Sequence, residues 1–320
     1  MVKKKKAGRP LSYTCTAYIY LLPAFILMAA FVIYPAVNTI ITSFKYDYKF
    51  LTGDFLRFSA EHYKEIFHDP VFLRACKNTL FMGFVCVPCS MLLSLGVALL
   101  LNASRRFQEL LATLYYLPQV TNVIAAGFVF ALIFNNNYGL LNMVLGWFGI
   151  EPVAWITGKG IAGDPALYTQ SYLRCLFILF CYSMWNGLSL KVILFLGGLK
   201  GINQQYYQAA RLDGTSRWRV LRKITLPLLS PTILYVYITS SITAFKAYTA
   251  VVALFGNDFG PAGDNSKMMI TLVGYIIDKL GSYIDTGAVS LASAAAVILL
   301  VAIMLLTGLQ MKFTERRVHY

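Results

Sequence analysis

Few side chains in this chain are spaced for covalent chemistry. Cys86-Val87-Pro88-Cys89 has the CxxC form of a redox or metal pair, and Gly158-Lys159-Gly160 looks like part of a phosphate loop. The Cys pair falls in an apolar run with no His or carboxylate nearby, so small thiols packing a Pro-kinked helix are the better reading. The Gly-Lys-Gly string lacks the upstream Gly and the hydroxyl residue that a phosphate loop needs. His62, His68 and His319 are scattered outside the apolar runs, and His62 and His68 read as outer surface residues. No Ser–His–Asp set or HExxH zinc motif can be assembled from them. What remains is non-covalent chemistry. Gln119, Asn122, Trp185, Asn186, Thr243, Lys246 and Tyr248 are polar or amphipathic residues inside long apolar runs. Polar groups at membrane depth are costly and commonly mark a solute path. Aromatic faces beside amides and hydroxyls suit a sugar, and Lys246 suits an anionic group. A plainer reading has these residues hydrogen-bonding between helices, with Trp185 packed and Lys191 snorkelling to the inner surface.

The elements that carry these residues follow from composition. The chain has 320 residues, 58% of them hydrophobic and 13% charged, with a mean hydropathy of +0.62. That is too apolar for a soluble domain. Six runs are long enough to cross about 30 Å of hydrocarbon: Ala17–Thr42, Thr79–Leu101, Leu110–Phe134, Leu173–Leu199, Thr232–Phe255 and Ala288–Met311. Tyr138–Ile150 and Met268–Ile277 are shorter and read as interfacial or re-entrant helices. An all-α, polytopic membrane protein is expected. It would comprise a basic amino terminus (1–16), a first span (17–42), an outer loop (43–78), a five-helix core (79–311) and a tail (312–320).

The net charge of +14 raises the question of nucleic acid, and its distribution answers it. With six spans and the amino terminus inside, Lys3–Lys6, Arg9, Arg105, Arg106, Lys200, Arg211, Arg217, Arg219, Arg222, Lys223, Lys312, Arg316 and Arg317 all fall on the cytosolic side. Only Glu109, Asp213 and Glu315 oppose them there. This is the positive-inside pattern, so nucleic-acid binding is set aside. The apolar run behind Met1–Pro10 is too long for a signal-peptide core and reads as a retained span. All six cysteines lie in or beside spans, unlike the framework of a small secreted domain.

The longest inner segment, 200–227, has its own internal order. Asn203–Asp213 lacks Pro and Gly and predicts a short helix. Gly214 suits the left-handed position that ends one. Ser216 is placed to cap a second helix through Lys223, and Pro227 and Pro231 mark the start of the fifth span. Ala209 and Ala210 leave a shallow face on which a partner can close.

The series Gln208-Ala209-Ala210, three residues, Gly214, nine residues, then Ile224-Thr225-Leu226-Pro227 resembles the cytoplasmic coupling loop of ABC importer permeases. The family pattern has Glu where Gln208 stands, a change that keeps hydrogen bonding and loses the charge. Asn203 stands where relatives often have Pro. Glu61–Phe67 with Phe72 and Asn78-Thr79, then Tyr138–Asn142, then Trp185-Asn186-Gly187 through Phe195–Leu199, are similar to the carbohydrate subfamily, in the same order. The likeness is to its six-span sugar and glycerol-phosphate members.

That resemblance implies a type I ABC importer permease fold. It implies a subunit that binds no cofactor, with ATP and Mg held by two partner ATPase subunits. Further partners would be a second, homologous permease, an extracytoplasmic solute-binding protein and the lipid bilayer. Contact with the ATPase would fall to Gln208, Ala209, Ala210, Asp213, Gly214, Ile224, Leu226 and Pro227. The expected place is a bacterial or archaeal plasma membrane, with both termini cytosolic. A permease for a non-sugar solute is the alternative, and a stand-alone carrier or channel a more distant one. Inverted repeats would support the latter, and none is visible.

Overall fold

The computed structural model describes residues 11–103, 108–156, 165–261, 267–282, 284–285 and 287–315. The basic stretch 1–10, Arg105, Arg106, Gly158–Gly160, Asp164, Asp264 and the tail 316–320 with His319 lie outside the described residues.

Among the described residues, five helices have the length and apolarity to cross a membrane. They are α1 (Tyr18–Ser43), α3 (Pro70–Ala103), α7 (Pro165–Lys200), α9 (Arg217–Phe245) and α12 (Ala288–Glu315). Between them come α2 (Glu61–His68), the pair α4 (Gln108–Val120) and α5 (Val123–Ile133), α6 (Leu140–Trp147), α8 (Gln204–Leu212), α10 (Thr249–Phe255) and α11 (Leu272–Gly281). Counting α4 with α5 as one broken span gives six, the number expected. A small antiparallel ladder lies in the outer loop, Lys45–Tyr46 against Arg57–Phe58.

Span boundaries differ from expectation in several places, the fourth span starting at Pro165 and the fifth helix at Arg217 among them. The third run is not straight: its chain turns by 100° between α4 and α5. Pro118 removes a donor there, and Asn122 caps α5 with Oδ1 at 2.8 Å from the Ile124 N–H and 3.2 Å from that of Ala125. The fifth run ends at Phe245, not Phe255; Lys246–Tyr248 are non-helical and α10 is a separate helix. Its hydropathy continues because Val251, Ala253, Leu254 and Phe255 are buried against protein. The second span starts nine residues early, at Pro70, where Asp69 accepts the Val71 N–H at 2.8 Å. The short helix expected over Met268–Ile277 begins only at Leu272.

Asn78 explains the last difference. Its Nδ2 donates to the carbonyls of Met268 (3.1 Å) and Ile270 (2.8 Å), and its Oδ1 accepts from the Tyr172 hydroxyl at 2.8 Å. Thr79 Oγ1 accepts the Leu272 N–H at 3.0 Å. Side chains thus take over carbonyls of Met268 and Ile270 that a helix would bond internally. Three fully buried apolar residues stay in a turn ahead of the helix, closed by the Ile270 N–H on the Lys267 carbonyl at 3.1 Å. Asn142 staples the outer turn likewise, donating to Asn136 and Val153 carbonyls and accepting from Val153 N–H and Trp155 Nε1.

The main core lies toward the outer half, around Phe72, Ile178, Leu179, Phe255, Met268–Ile270 and Tyr275. A second cluster, Ala98, Phe195, Leu199, Ile202, Leu229 and Val236, closes the inner ends of α3, α7 and α9. Helices approach most closely at small residues. A Cβ on Gly198 of α7 would sit 2.7 Å from Leu229 and Thr232 of α9, and one on Gly127 of α5 only 2.3 Å from the Ala253 Cβ of α10. His62 corrects another expectation. It is buried, stacked on Tyr46 at 4.9 Å, with Nδ1 3.0 Å from Glu65. His68 is exposed.

Candidate functional site: a cavity between broken helices and the loop beneath it

A cavity of about 560 Å³ opens between α3, the α4–α5 break, α7, α9 and the start of α10. Both chain breaks lie on it: Thr121 and Val123 line it at one, and Lys246–Thr249 at the other. Each break is held by specific bonds. The Tyr182 hydroxyl donates to the Val123 carbonyl at 3.1 Å, and Thr271 Oγ1 donates to the Ala247 carbonyl at 2.7 Å. Non-helical backbone at membrane depth is tolerated where it borders such a space.

Of the residues expected on a solute path, Gln119, Asn186, Thr243, Lys246 and Tyr248 line this cavity together. Two do not. Asn122 spends its side-chain oxygen capping α5. Trp185 packs on Phe130 (5.5 Å between rings) and Tyr182 (6.3 Å), the packed alternative noted above. Thr243 Oγ1 donates back to the Thr239 carbonyl at 2.9 Å, leaving its oxygen free to accept.

Lys191 does not snorkel. It is buried, its Nζ donates to Ser90 Oγ on α3, and it lines the cavity floor with Ser90, Cys86 and Gly187. A signal for this was present in the sequence. Ser183, Gly187 and Lys191 follow at i+4 steps, so they share one face of α7. Tyr182, the residue that holds the α5 break, carries no such signal.

Beneath the cavity, the segment 200–227 forms the expected helix–corner–helix. Asn203 Oδ1 accepts the Gln205 N–H at 2.9 Å and opens α8. At its end Gly214 has φ +64, the Gly214 N–H donates to Arg211 O at 3.1 Å, and the Thr215 N–H donates to Ala210 O at 3.0 Å. This pair of bonds is the Schellman motif, which needs a left-handed residue at the corner. Ser216 takes the N-cap backbone position of α9 without a side-chain cap bond. The second loop helix does not stop at Lys223. It passes through a π turn at Leu221–Thr225 straight into the fifth span, the wide turn preceding Pro227.

The loop is tied to the spans at one end and open at the other. Ile202 and Tyr207 pack into the inner core cluster, and the Tyr207 hydroxyl lies 3.2 Å from Thr225 Oγ1. Ala210 is buried, whereas Gln208, Ala209, Asp213 and Gly214 are exposed. Ile224, Leu226 and Pro227 are partly buried at the foot of α9. Leu212 (90% exposed) and Trp218 (69%) stand out as apolar side chains among Arg211, Arg217, Arg219, Arg222 and Lys223.

Comparison with known proteins then decides the family. Residues 90–320 match the binding-protein-dependent transport system inner membrane component family. The chain belongs to this family. It is therefore a transport permease, not an enzyme, of the inner membrane. Among relatives, the sulfoquinovosyl glycerol permease SmoG of Agrobacterium fabrum is 29% identical over 94% of this chain and 91% of its own. The lactose permease LacF of Rhizobium radiobacter is 28% identical over 91% and 92%. The sn-glycerol-3-phosphate permease UgpA of Pectobacterium atrosepticum is 26% identical over 95% of each. A solved bacterial alginate importer, in complex with a periplasmic protein bound to an alginate pentasaccharide, shares the permease's fold. Its TM-score is 0.75 at 19% identity, with 98% of both chains covered.

Proposed function

We propose that this permease carries a sugar or sugar-like solute through the cavity described above, and that ATP and Mg bound to two separate ATPase subunits drive the cycle. The named substrates of SmoG, LacF and UgpA support a carbohydrate or polyol-phosphate solute. The alginate system, solved with its periplasmic protein, supports delivery by a solute-binding protein outside. A second permease would complete the path, and the exposed apolar length of α1 offers a face for it.

One observation carries the reading. A single helix, α9, starts in the family's loop at Arg217, and its far end, which stops at Phe245, lines the cavity with Val236, Thr239, Ser240, Thr243 and Ala244. Movement imposed on the loop by an ATPase therefore reaches the solute cavity without an intervening joint. In this reading the exposed Gln208, Ala209, Asp213 and Gly214 form the ATPase contact, Ala210 is buried behind them and packs the loop, and Ile224, Leu226 and Pro227 root it in α9. Leu212 and Trp218 would supply its apolar anchors. Asn186, Thr243, Lys246 and Tyr248 touch the solute. Trp185 and Asn122 shape the wall from behind.

The test is reconstitution of this chain with a second permease, an ATPase and a solute-binding protein from the same organism. Sugar uptake into proteoliposomes should require ATP and the binding protein together. Uptake that proceeds with this chain alone, down a solute or ion gradient, would replace the reading with a secondary carrier.

A further inference from the structure

The cavity holds two cations and, among the described residues, no carboxylate. Lys246 stands at the C-terminal end of α9, exposed to the cavity's outer end. Lys191 is buried in its floor. Neither takes part in any salt bridge among the described residues. For Lys191 the bond to Ser90 Oγ uses one N–H of three and supplies no charge. An ammonium held so is costly unless a counter-charge visits it.

The surroundings keep space for such a visitor. A Cβ on Gly187 would come within 3.2 Å of Lys191 Nζ, so only glycine leaves that side of the ammonium open. Val123, the first residue of the eleven-residue helix α5, also faces the cavity, which adds the partial positive charge of a helix N-terminus. Val236 and Leu194 share the inner core cluster and so mark a common depth. Lys191 lies one turn outward from Leu194 and Lys246 ten residues outward from Val236, which separates the two lysines by about 10 Å along the path. A solute moving inward meets the exposed cation first and the buried one second.

We propose that the solute of this permease is an anionic sugar, one bearing a carboxylate, sulfonate or phosphate, that pairs with Lys246 and then Lys191 as it crosses. The proposal rests on the importer reading above. It goes beyond it by setting the charge of the substrate and by assigning Lys191 to the path.

The test uses the whole importer in proteoliposomes and matched probes: glucose and glucuronate, trehalose and trehalose 6-phosphate, glycerol and glycerol 3-phosphate. At least one anionic member should enter about tenfold faster than its neutral counterpart. Lys191→Gln and Lys246→Gln should each cut that uptake by about tenfold, mainly through KM, while the arginine variants keep most of it. If Lys191→Gln does not co-purify with its partners, Lys191→Met replaces it. Neutral members entering as fast as anionic ones would overturn the proposal. So would anionic uptake within twofold of wild type in both lysine variants. ATP-driven uptake of no sugar at all would instead overturn the carbohydrate reading on which it rests.

Discussion

Gly214 shows how much a single position can hold. Its φ of +64 closes the Schellman corner between α8 and α9, and a β-branched residue there meets a penalty of about 1–2 kcal/mol. Nothing lies within 4 Å of where its Cβ would be, so the penalty is conformational and not steric crowding. Gly214→Val is expected to insert normally yet lose most uptake and ATPase co-purification. Wild-type uptake at matched expression would show that the corner is dispensable. Asn78 makes the opposite case, a side chain whose worth lies in its partners. Asn78→Leu strands two buried carbonyls and the Tyr172 hydroxyl, each at a cost of about 1–3 kcal/mol. A clear fall in thermal stability in lipid nanodiscs is expected, and an unchanged midpoint would refute the staple. The first helix and the corner of the 200–227 loop were legible from Asn203 and Gly214, because caps and left-handed glycines act locally. By contrast, Ser216 makes no side-chain cap bond and the second helix runs on past Lys223. The role of Asn78 was not legible: its carbonyl partners lie some 190 positions along the chain and Tyr172 lies 94 away.

Among the helices, the two short ones beside the cavity are the least obvious from sequence and the most specific in packing. Hydropathy counts apolar residues and cannot separate a continuing span from a buried turn, so both breaks were missed. Pro118 and Asn122 were signals for the first; the second, at Lys246–Tyr248, has only the lysine to mark it. The α5–α10 crossing gives a direct test. Gly127→Ala should place its Cβ in contact with that of Ala253 and cost about 1–3 kcal/mol. Adding Ala253→Gly should restore most of the lost stability and uptake, and failure of the pair to recover would mean that the two helices do not meet as described.

The outer strut between α3 and α11 makes a second prediction at this scale. Asp69 Oδ2 accepts from the Tyr275 hydroxyl at 2.8 Å, with Lys279 at 3.5 Å. Burial works to raise the Asp69 pKa, but Tyr275, the Val71 N–H and Lys279 outweigh it and hold the carboxyl below its ordinary value. A depressed carboxylate contributes stability above its unfolded pKa and loses it as pH falls through the folded one. Tyr275→Phe should therefore lower the unfolding temperature near neutrality, with the gap from wild type narrowing once pH drops below the usual Asp range. A gap that stays constant well below the usual Asp range would remove Asp69 from the account.

Across the whole molecule, charge sets orientation. By the positive-inside rule, the basic residues of α8 and the start of α9 predict a cytosolic 200–227 loop, and the spans then predict the side of every other segment. With native cysteines removed, Ser216→Cys should resist an impermeant thiol reagent added outside intact cells and react readily in inverted vesicles. Ready labelling from outside would reverse the arrangement.

The close approach at Gly198 bears on mechanics. It pins α9 near Leu229–Thr232, which leaves about 20 Å of helix on either side: one arm down to Arg217, the other up to Phe245. A rod held at its middle is a balance with equal arms. A tilt of about 10° around that fulcrum swings each end by about 4 Å, in opposite directions and without gain or loss of stroke. Whatever displaces the Arg217 end thus moves the cavity wall beside Lys246 by the same amount, the other way.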